Sequence, residues 1–175
     1  MIIVSEELKE LIGQKSIVSA SAYDTFSITL KLDKYFKRYR VATNDCIDLT
    51  NGFSNFDIEN IEVENEYIVK PKDVVLACSQ EYIRMPRGFM GFLQTKGSLA
   101  RLFVMVHCCD GQVEPGFEGK ITFEICNLGN FPVKLNVGQA VAQLFIHKVS
   151  SKRDRYNGKY NKSDKPTHYI KSNEK

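Results

Sequence analysis

Strand-length runs, each closed off by Gly, Pro or Asn, recur along this chain and favour a sheet over any other architecture. Ser27-Ile28-Thr29-Leu30-Lys31-Leu32 alternates polar and apolar residues, the period of a half-buried strand, and Lys37–Val41 extends the same pattern. Tyr67-Ile68-Val69 and Val74-Val75-Leu76-Ala77 flank a turn at Pro71-Lys72-Asp73, and Phe89–Leu93 follows. Leu102-Phe103-Val104-Met105-Val106 is apolar throughout, as expected of a strand buried on both faces. Lys120–Cys126 alternates again, and Val133–Leu135 and Ala140–Val149 complete the series. Asn51-Gly52 and Phe131-Pro132 read as turns. Ser5–Ile12 carries helical spacing behind an N-cap candidate, and Ser98–Arg101 reads as a helical turn or a loop. The expected fold is mainly β, a sandwich or barrel with one or two short helices.

At 175 residues the chain suits one self-sufficient domain, and 43% hydrophobic with 26% charged residues excludes a disordered polymer. No run approaches about eighteen apolar residues, so no membrane span is expected. Met1–Glu7 lacks the charged region and cleavage site of a secretory signal, which makes the cytoplasm the expected location. Five cysteines without C-x-x-C spacing read as reduced thiols; adjacent Cys108 and Cys109 in a strand would face opposite ways, an arrangement poor for a disulfide or a metal. The net charge of +3 is unevenly placed. Residues 151–175 hold eight Lys/Arg against three carboxylates, a net of +5, which leaves residues 1–150 at −2. The chain thus divides into a β body (1–150) and a polar, basic arm (151–175) interrupted by Asn157-Gly158 and Lys165-Pro166.

Polar residues concentrate between Gln94 and Glu124, inside an otherwise apolar region. Lys96-Gly97-Ser98 sets a glycine beside a cation and a hydroxyl, so backbone amides can approach an anion; alone it is also a generic turn. Glu124 sits opposite Ile121, Phe123 and Ile125 in the alternation and reads equally as a strand glutamate facing water. Glu114-Pro115-Gly116 is turn chemistry.

Joined, these pieces resemble the dCTP deaminase branch of the trimeric dUTPase-like superfamily. The family phrases run R-S-S-L-A-R-L-G-L, H-x-T-A-x-x-I-D-P-G-x-x-G-x-I-T-L-E-x-x-N and P-x-x-L-x-x-G-x-x-I-x-Q-L. This chain has K-G-S-L-A-R-L-F-V, H-C-C-D-G-Q-V-E-P-G-F-E-G-K-I-T-F-E-I-C-N and P-V-K-L-N-V-G-Q-A-V-A-Q-L, with intervals matching without a gap from Lys96 to Asn127. Weaker similarity covers Glu81–Pro86, and Tyr156-Asn157-Gly158-Lys159-Tyr160 looks like the family's nucleotide-closing arm.

The resemblance implies a distorted, jelly-roll-like β-barrel assembled as a homotrimer, with active sites at subunit interfaces and residues 151–175 closing over the nucleotide. It implies hydrolytic deamination of dCTP to dUTP and ammonia, with Glu124 as general base for water attacking C4 of cytosine. A base that must both take and return protons suits a partly apolar wall, for which Ile121, Phe123 and the nearby cysteines are candidates. Arg101 matches the arginine that holds the catalytic water and the glutamate. The backbone from Cys108 to Gln112, including Asp110 and Gly111, would read the pyrimidine edge, and Glu114 would meet the 3′-hydroxyl. Lys96, Gly97, Ser98 and Gln143, with Lys159 and Tyr160, would hold a triphosphate carrying Mg²⁺. No partner in nucleic acid is expected. Zinc deaminases need H-x-E followed by P-C-x-x-C, and neither occurs here, so no zinc is expected.

Three residues depart from the family pattern. Gly97 stands where a water-site serine is usual, and a lost donor there costs a few kcal/mol of transition-state stabilisation. Glu114 replaces aspartate, and Asp110 replaces alanine beside the base pocket. Gly111 falls where bifunctional deaminase–diphosphatases carry glycine, so a dUMP-forming enzyme is an open alternative, as are a plain dUTPase and a catalytically silent nucleotide-binding protein on the same scaffold.

Overall fold

The structure, a computed structural model, describes residues 1–15, 17–41, 56–153 and 155–170. In chain order the elements are β1 (Ile2–Ile3), α1 (Ser5–Lys15), a 3₁₀ turn (Ala20–Ala22), β2 (Tyr23–Asp24), β3 (Ser27–Val41), β4 (Phe56–Glu62), β5 (Glu66–Val69) and β6 (Val74–Arg84). There follow β7 (Phe89–Thr95), α2 (Gly97–Ala100), β8 (Val104–Met105), β9 (Gln112–Val113), β10 (Glu118–Asn127), β11 (Val133–Asn136) and β12 (Ala140–Lys148). One curled antiparallel sheet runs β8-β10-β6-β3-β12-β7-β9, with β1 beside β12 and both β2 and β4 beside β3; β5 and β11 pair separately. The result is a mainly β half-barrel with two short helices, in keeping with the sequence. Among the described residues no helix is long and apolar enough to cross a membrane.

The two runs read as Ser27–Leu32 and Lys37–Val41 are one fifteen-residue strand. Its first part pairs with β12 and its second with β4 and β6. Between them the register against β6 jumps, from Leu32↔Ser79 to Phe36↔Ala77. The next strand breaks at the same level: β10 pairs Lys120↔Tyr82, then Thr122↔Cys78. Extra residues on one strand of a pair bend and twist it, so aligned breaks curl the sheet.

The side chains at this seam replace lost ladder bonds. Buried Ser79 accepts the Ile121 N–H at 2.9 Å and donates to the Glu81 carbonyl at 2.8 Å. Buried Asp33 accepts from Lys120 Nζ at 2.5 Å and from the Lys34 N–H at 2.6 Å. Burial works to lower the Lys120 pKa, but Asp33 outweighs it and raises it, so the ammonium is firmly charged.

Ile28, Leu30, Leu32, Leu144 and Ile146 fill the concave side, capped by Leu8, Leu11 and Ile12 of α1. Each fully buried aliphatic side chain contributes about 1.5–3 kcal/mol. The Leu102–Val106 segment departs from the sequence reading. Only Val104–Met105 is strand, and Leu102 and Phe103 are 39% and 63% exposed. The amides of Leu102 and Phe103 continue the turn begun by α2, bonding to the Leu99 and Ala100 carbonyls, and Phe103 takes a left-handed φ of 59°. β4 carried no turn or motif that the sequence reading used, and the Asn51-Gly52 turn and Cys46 lie outside the described residues.

At the far end of β10, Asn127 is fully buried. Its Nδ2 donates to the Val69 and Phe131 carbonyls and its Oδ1 accepts the Gly129 N–H, tying β10 to β5 and the following turn. Asn127→Ala orphans these groups and is expected to lower the unfolding free energy by about 2–4 kcal/mol, read from urea denaturation monitored by circular dichroism.

Candidate active site

Alternation along β10 turns Lys120, Thr122 and Glu124 toward a cavity of about 350 Å³. Leu76, Leu93 and Ile121 form its apolar wall. Phe123, a candidate for that wall, is fully buried on the opposite face, whereas Ile121 reaches the cavity because it lies at the register break.

Glu124 is gripped by the 106–110 segment through both backbone and side chain. Its N–H donates to the Val106 carbonyl at 3.0 Å and its carbonyl accepts the Cys108 N–H at 3.4 Å. Its Oε2 then accepts the N–H groups of Cys109 at 2.6 Å and Asp110 at 3.2 Å. Two amide donors on one carboxylate oxygen fix its rotamer. Behind the segment, Thr95 Oγ1 accepts the Val106 N–H at 3.0 Å and lies 3.2 Å from His107 Nδ1. Burial lowers the His107 pKa against the opposing pull of Glu124.

The cysteine geometry differs from the sequence reading because 107–110 is not a strand. The Cys108 thiol meets the thiols of both Cys126 and Cys109, and these contacts set its titration, the Cys126 hydrogen bond raising the pKa. Cys78, Cys108, Cys109 and Cys126 are all free thiols.

Downstream, the Gly111 carbonyl accepts the Leu93 N–H at 2.7 Å and Gln112–Val113 pairs with β7, locking the loop to the sheet. A Cβ on Gly111 would lie 3.2 Å from the His107 ring. Asp110, Gly111, Gln112 and Glu114 all line the cavity. Burial raises the Glu114 pKa, its own backbone amide opposes the shift, and Asp110 adds to it.

The arm packs on the same cavity. The Tyr156 N–H bonds to Pro115, the Lys162 N–H to Glu118, and the Lys120 N–H to Ser163. Thr167 N–H donates to Thr122 Oγ1 at 3.0 Å. Two glycines permit this approach. Gly116 (φ 85°) and Gly119 (φ 148°) adopt conformations L side chains avoid, and a Cβ on them would lie 2.8 Å from Arg155 and 3.2 Å from Ser163. Tyr160 lines the cavity, while Lys159 lies over the Tyr160 and Tyr169 rings and bonds to the Ile170 carbonyl.

The remaining candidates gather elsewhere on the same chain. Lys96, Gly97, Ser98 and Arg101 lie on and around α2, outside the cavity that holds Glu124. Arg101 Nη1 donates to the Gly97 carbonyl at 3.0 Å, and a Cβ on Gly97 would sit 2.9 Å from that nitrogen. Gln143 Nε2 donates to Ser27 Oγ at 3.1 Å. Sequence reasoning missed Lys120, Tyr39 and Tyr156 as cavity residues. Lys120 occupies a variable position of the phrase, and Tyr39 comes from distant β3.

A family model described as dCTP deaminase-like matches residues 2–149. The "dCTP deaminase, dUMP-forming" of Nanoarchaeum equitans is 32% identical over 186 residues, covering 93% of each chain. The protein of the same description from Sulfurihydrogenibium sp. is 38% identical over 136 residues, covering 77% of this chain and 74% of that one. The crystal structure of 2′-deoxycytidine 5′-triphosphate deaminase from Agrobacterium tumefaciens has the same fold, with a TM-score of 0.68 at 18% identity. That match covers 86% of this chain and 49% of the other, so this chain spans about half its length. The chain belongs to the dCTP deaminase family of hydrolases.

A carboxyl whose pKa rises on folding holds its proton more tightly when folded, so stability falls as pH climbs through that range. Glu114→Gln removes this penalty. It is expected to melt higher than wild type at about pH 7, with the difference closing at about pH 4, where glutamate is protonated in both states; differential scanning calorimetry at the two pH values checks it.

Proposed function

We propose that this protein deaminates dCTP and carries the product on to dUMP. The observation that carries the first step is the Glu124 carboxylate, held by two amides of the 106–110 segment at the edge of a nucleotide-sized cavity. Glu124 takes a proton from water as the oxygen adds to C4 of cytosine and delivers it to N3, then takes the second proton from the new C4 hydroxyl and delivers it to the amine, which leaves as ammonia while the C4 carbonyl forms. The backbone from Cys108 to Gln112 reads the pyrimidine edge, with the Asp110 carbonyl orienting the water. Glu114 meets the 3′-hydroxyl and afterwards helps activate water toward the α-phosphorus.

The sequence reading put release of dUTP first and a bifunctional enzyme second. Relatives described as dUMP-forming, together with Gly111, now favour the bifunctional reading.

The triphosphate, bound with Mg²⁺ as part of the substrate, is held by Lys159 and Tyr160 of the arm and by Lys96, Ser98 and Gln143 of a neighbouring copy in a homotrimer, whose Arg101 holds the catalytic water and Glu124. Two features support assembly. The cationic α2 segment lies apart from its own chain's cavity. Beside it, exposed Leu102, Phe103, Leu128 and Phe131 present apolar side chains of the kind that assembly buries. A cytoplasmic setting belongs to the same proposal.

Incubation with Mg²⁺ and dCTP, followed by anion-exchange separation, is expected to yield ammonia, pyrophosphate and dUMP. Glu124→Gln is expected to lower ammonia release at least a thousandfold while dCTP still raises the melting temperature. A variant that keeps wild-type turnover overturns the mechanism, and dUTP as the sole nucleotide product overturns the second step. Light scattering is expected to give three copies per particle, and Phe103→Asp to shift the mass toward the monomer.

A further inference from the structure

Asp110 has two attachments that leave its side chain little freedom. Its N–H donates to Glu124 Oε2 at 3.2 Å, which sets its backbone beside the carboxylate assigned to attack chemistry. Its own Oδ1 accepts the Gln112 N–H at 3.2 Å, closing a tight side-chain-to-backbone turn of the kind aspartate favours. The carboxylate is therefore fixed by the loop, and it lines the cavity together with Glu124 and Glu114. Its charge is felt across that space: burial raises the pKa values of Glu114 and Tyr156, and Asp110 adds to both shifts.

A carboxylate in this position accepts hydrogen bonds and donates none. The two pyrimidines this cavity would meet differ in the atom carried at C4. Cytosine presents an exocyclic amine, a donor, whereas uracil presents a carbonyl oxygen, an acceptor. An acceptor-only wall that faces the C4 substituent, rather than N3, where uracil carries the N–H, therefore pairs with the first and opposes the second.

We propose that the Asp110 carboxylate selects the 4-amino edge of cytosine over the 4-oxo edge of uracil and so ranks dCTP above dUTP in this cavity. The inference rests on the reading that the cavity takes the pyrimidine at Glu124. It assigns Asp110 a role in specificity through its side chain, separate from the role its backbone plays in holding Glu124 and the water.

The test measures binding rather than turnover. In a Glu124→Gln background, which blocks deamination, the α,β-imido analogues of dCTP and dUTP are titrated with Mg²⁺ by calorimetry. With Asp110 present, the dCTP analogue is expected to bind about ten- to a hundredfold more tightly, the range of one charge-assisted hydrogen bond gained against one repelled. Asp110→Ala and Asp110→Asn are expected to bring the ratio to within about threefold. Asparagine preserves the cap on Gln112 and can turn its amide toward either base, so it separates loss of charge from loss of the loop. An unchanged ratio in the asparagine variant, with both analogues still bound, overturns the proposal and leaves the deaminase reading standing. Failure of the dCTP analogue to bind the Asp110-containing protein overturns both together.

Discussion

The Asp33–Lys120 ion pair marks the line along which this sheet stops being flat. β3 and β10 each lose register against β6 at that level, and at such a point backbone amides lack their ladder partners. Asp33 and Ser79 supply missing partners from side chains, and Lys120 pairs with Asp33. Breaking the pair would leave Asp33 buried and uncompensated, which is far costlier than replacing both partners with apolar groups. The curl, the cavity and the placement of β10 all follow from the seam. Glu124 lies four residues beyond Lys120 on the same strand and inherits its orientation from it.

Glu124 then does locally what the seam does for the sheet. Its backbone pairs with Val106 and Cys108, and its carboxylate holds the next two amides. A loop of small and polar residues, without regular structure of its own, is thus tied to a rigid strand at four points. Positions fixed in this way cost little reorganisation when charge develops in a reaction. The carboxylate assigned to proton transfer is also what shapes the loop, so substitutions at Glu124 act on geometry as well as chemistry.

The period-two alternation in Lys120–Cys126 was enough to show that Glu124 and Phe123 face opposite ways, and the gap-free phrase supplied the reason to choose Glu124. Leu102–Val106 misled because hydrophobicity has no direction: apolar side chains suit a surface that another molecule covers as well as they suit a buried strand. Tyr39 was invisible because its approach to the cavity depends on the long β3 crossing the seam, a tertiary event with no local signature. Lys120 was hidden by its partner, since nothing within its own phrase points to Asp33, eighty-seven residues away.

Charge placement gives the strongest argument that the proposed site needs more than one copy. Three carboxylates, Glu124, Glu114 and Asp110, line a cavity offered to a polyanion. Lys120, the lysine on its own walls, is already engaged by Asp33, and Lys159 of the arm bonds to the Ile170 carbonyl and lies over two tyrosine rings. Lys96 and Arg101 stand on α2, where Arg101 folds back on the Gly97 carbonyl, a contact that a side chain at residue 97 would crowd. Placed beside the acidic cavity in the same chain, these cations would pair with its carboxylates and blunt the base. In the homotrimer proposed above a neighbour would bring them in, Lys96 to the triphosphate and Arg101 to the catalytic water, and the nucleotide itself would be part of what joins the copies.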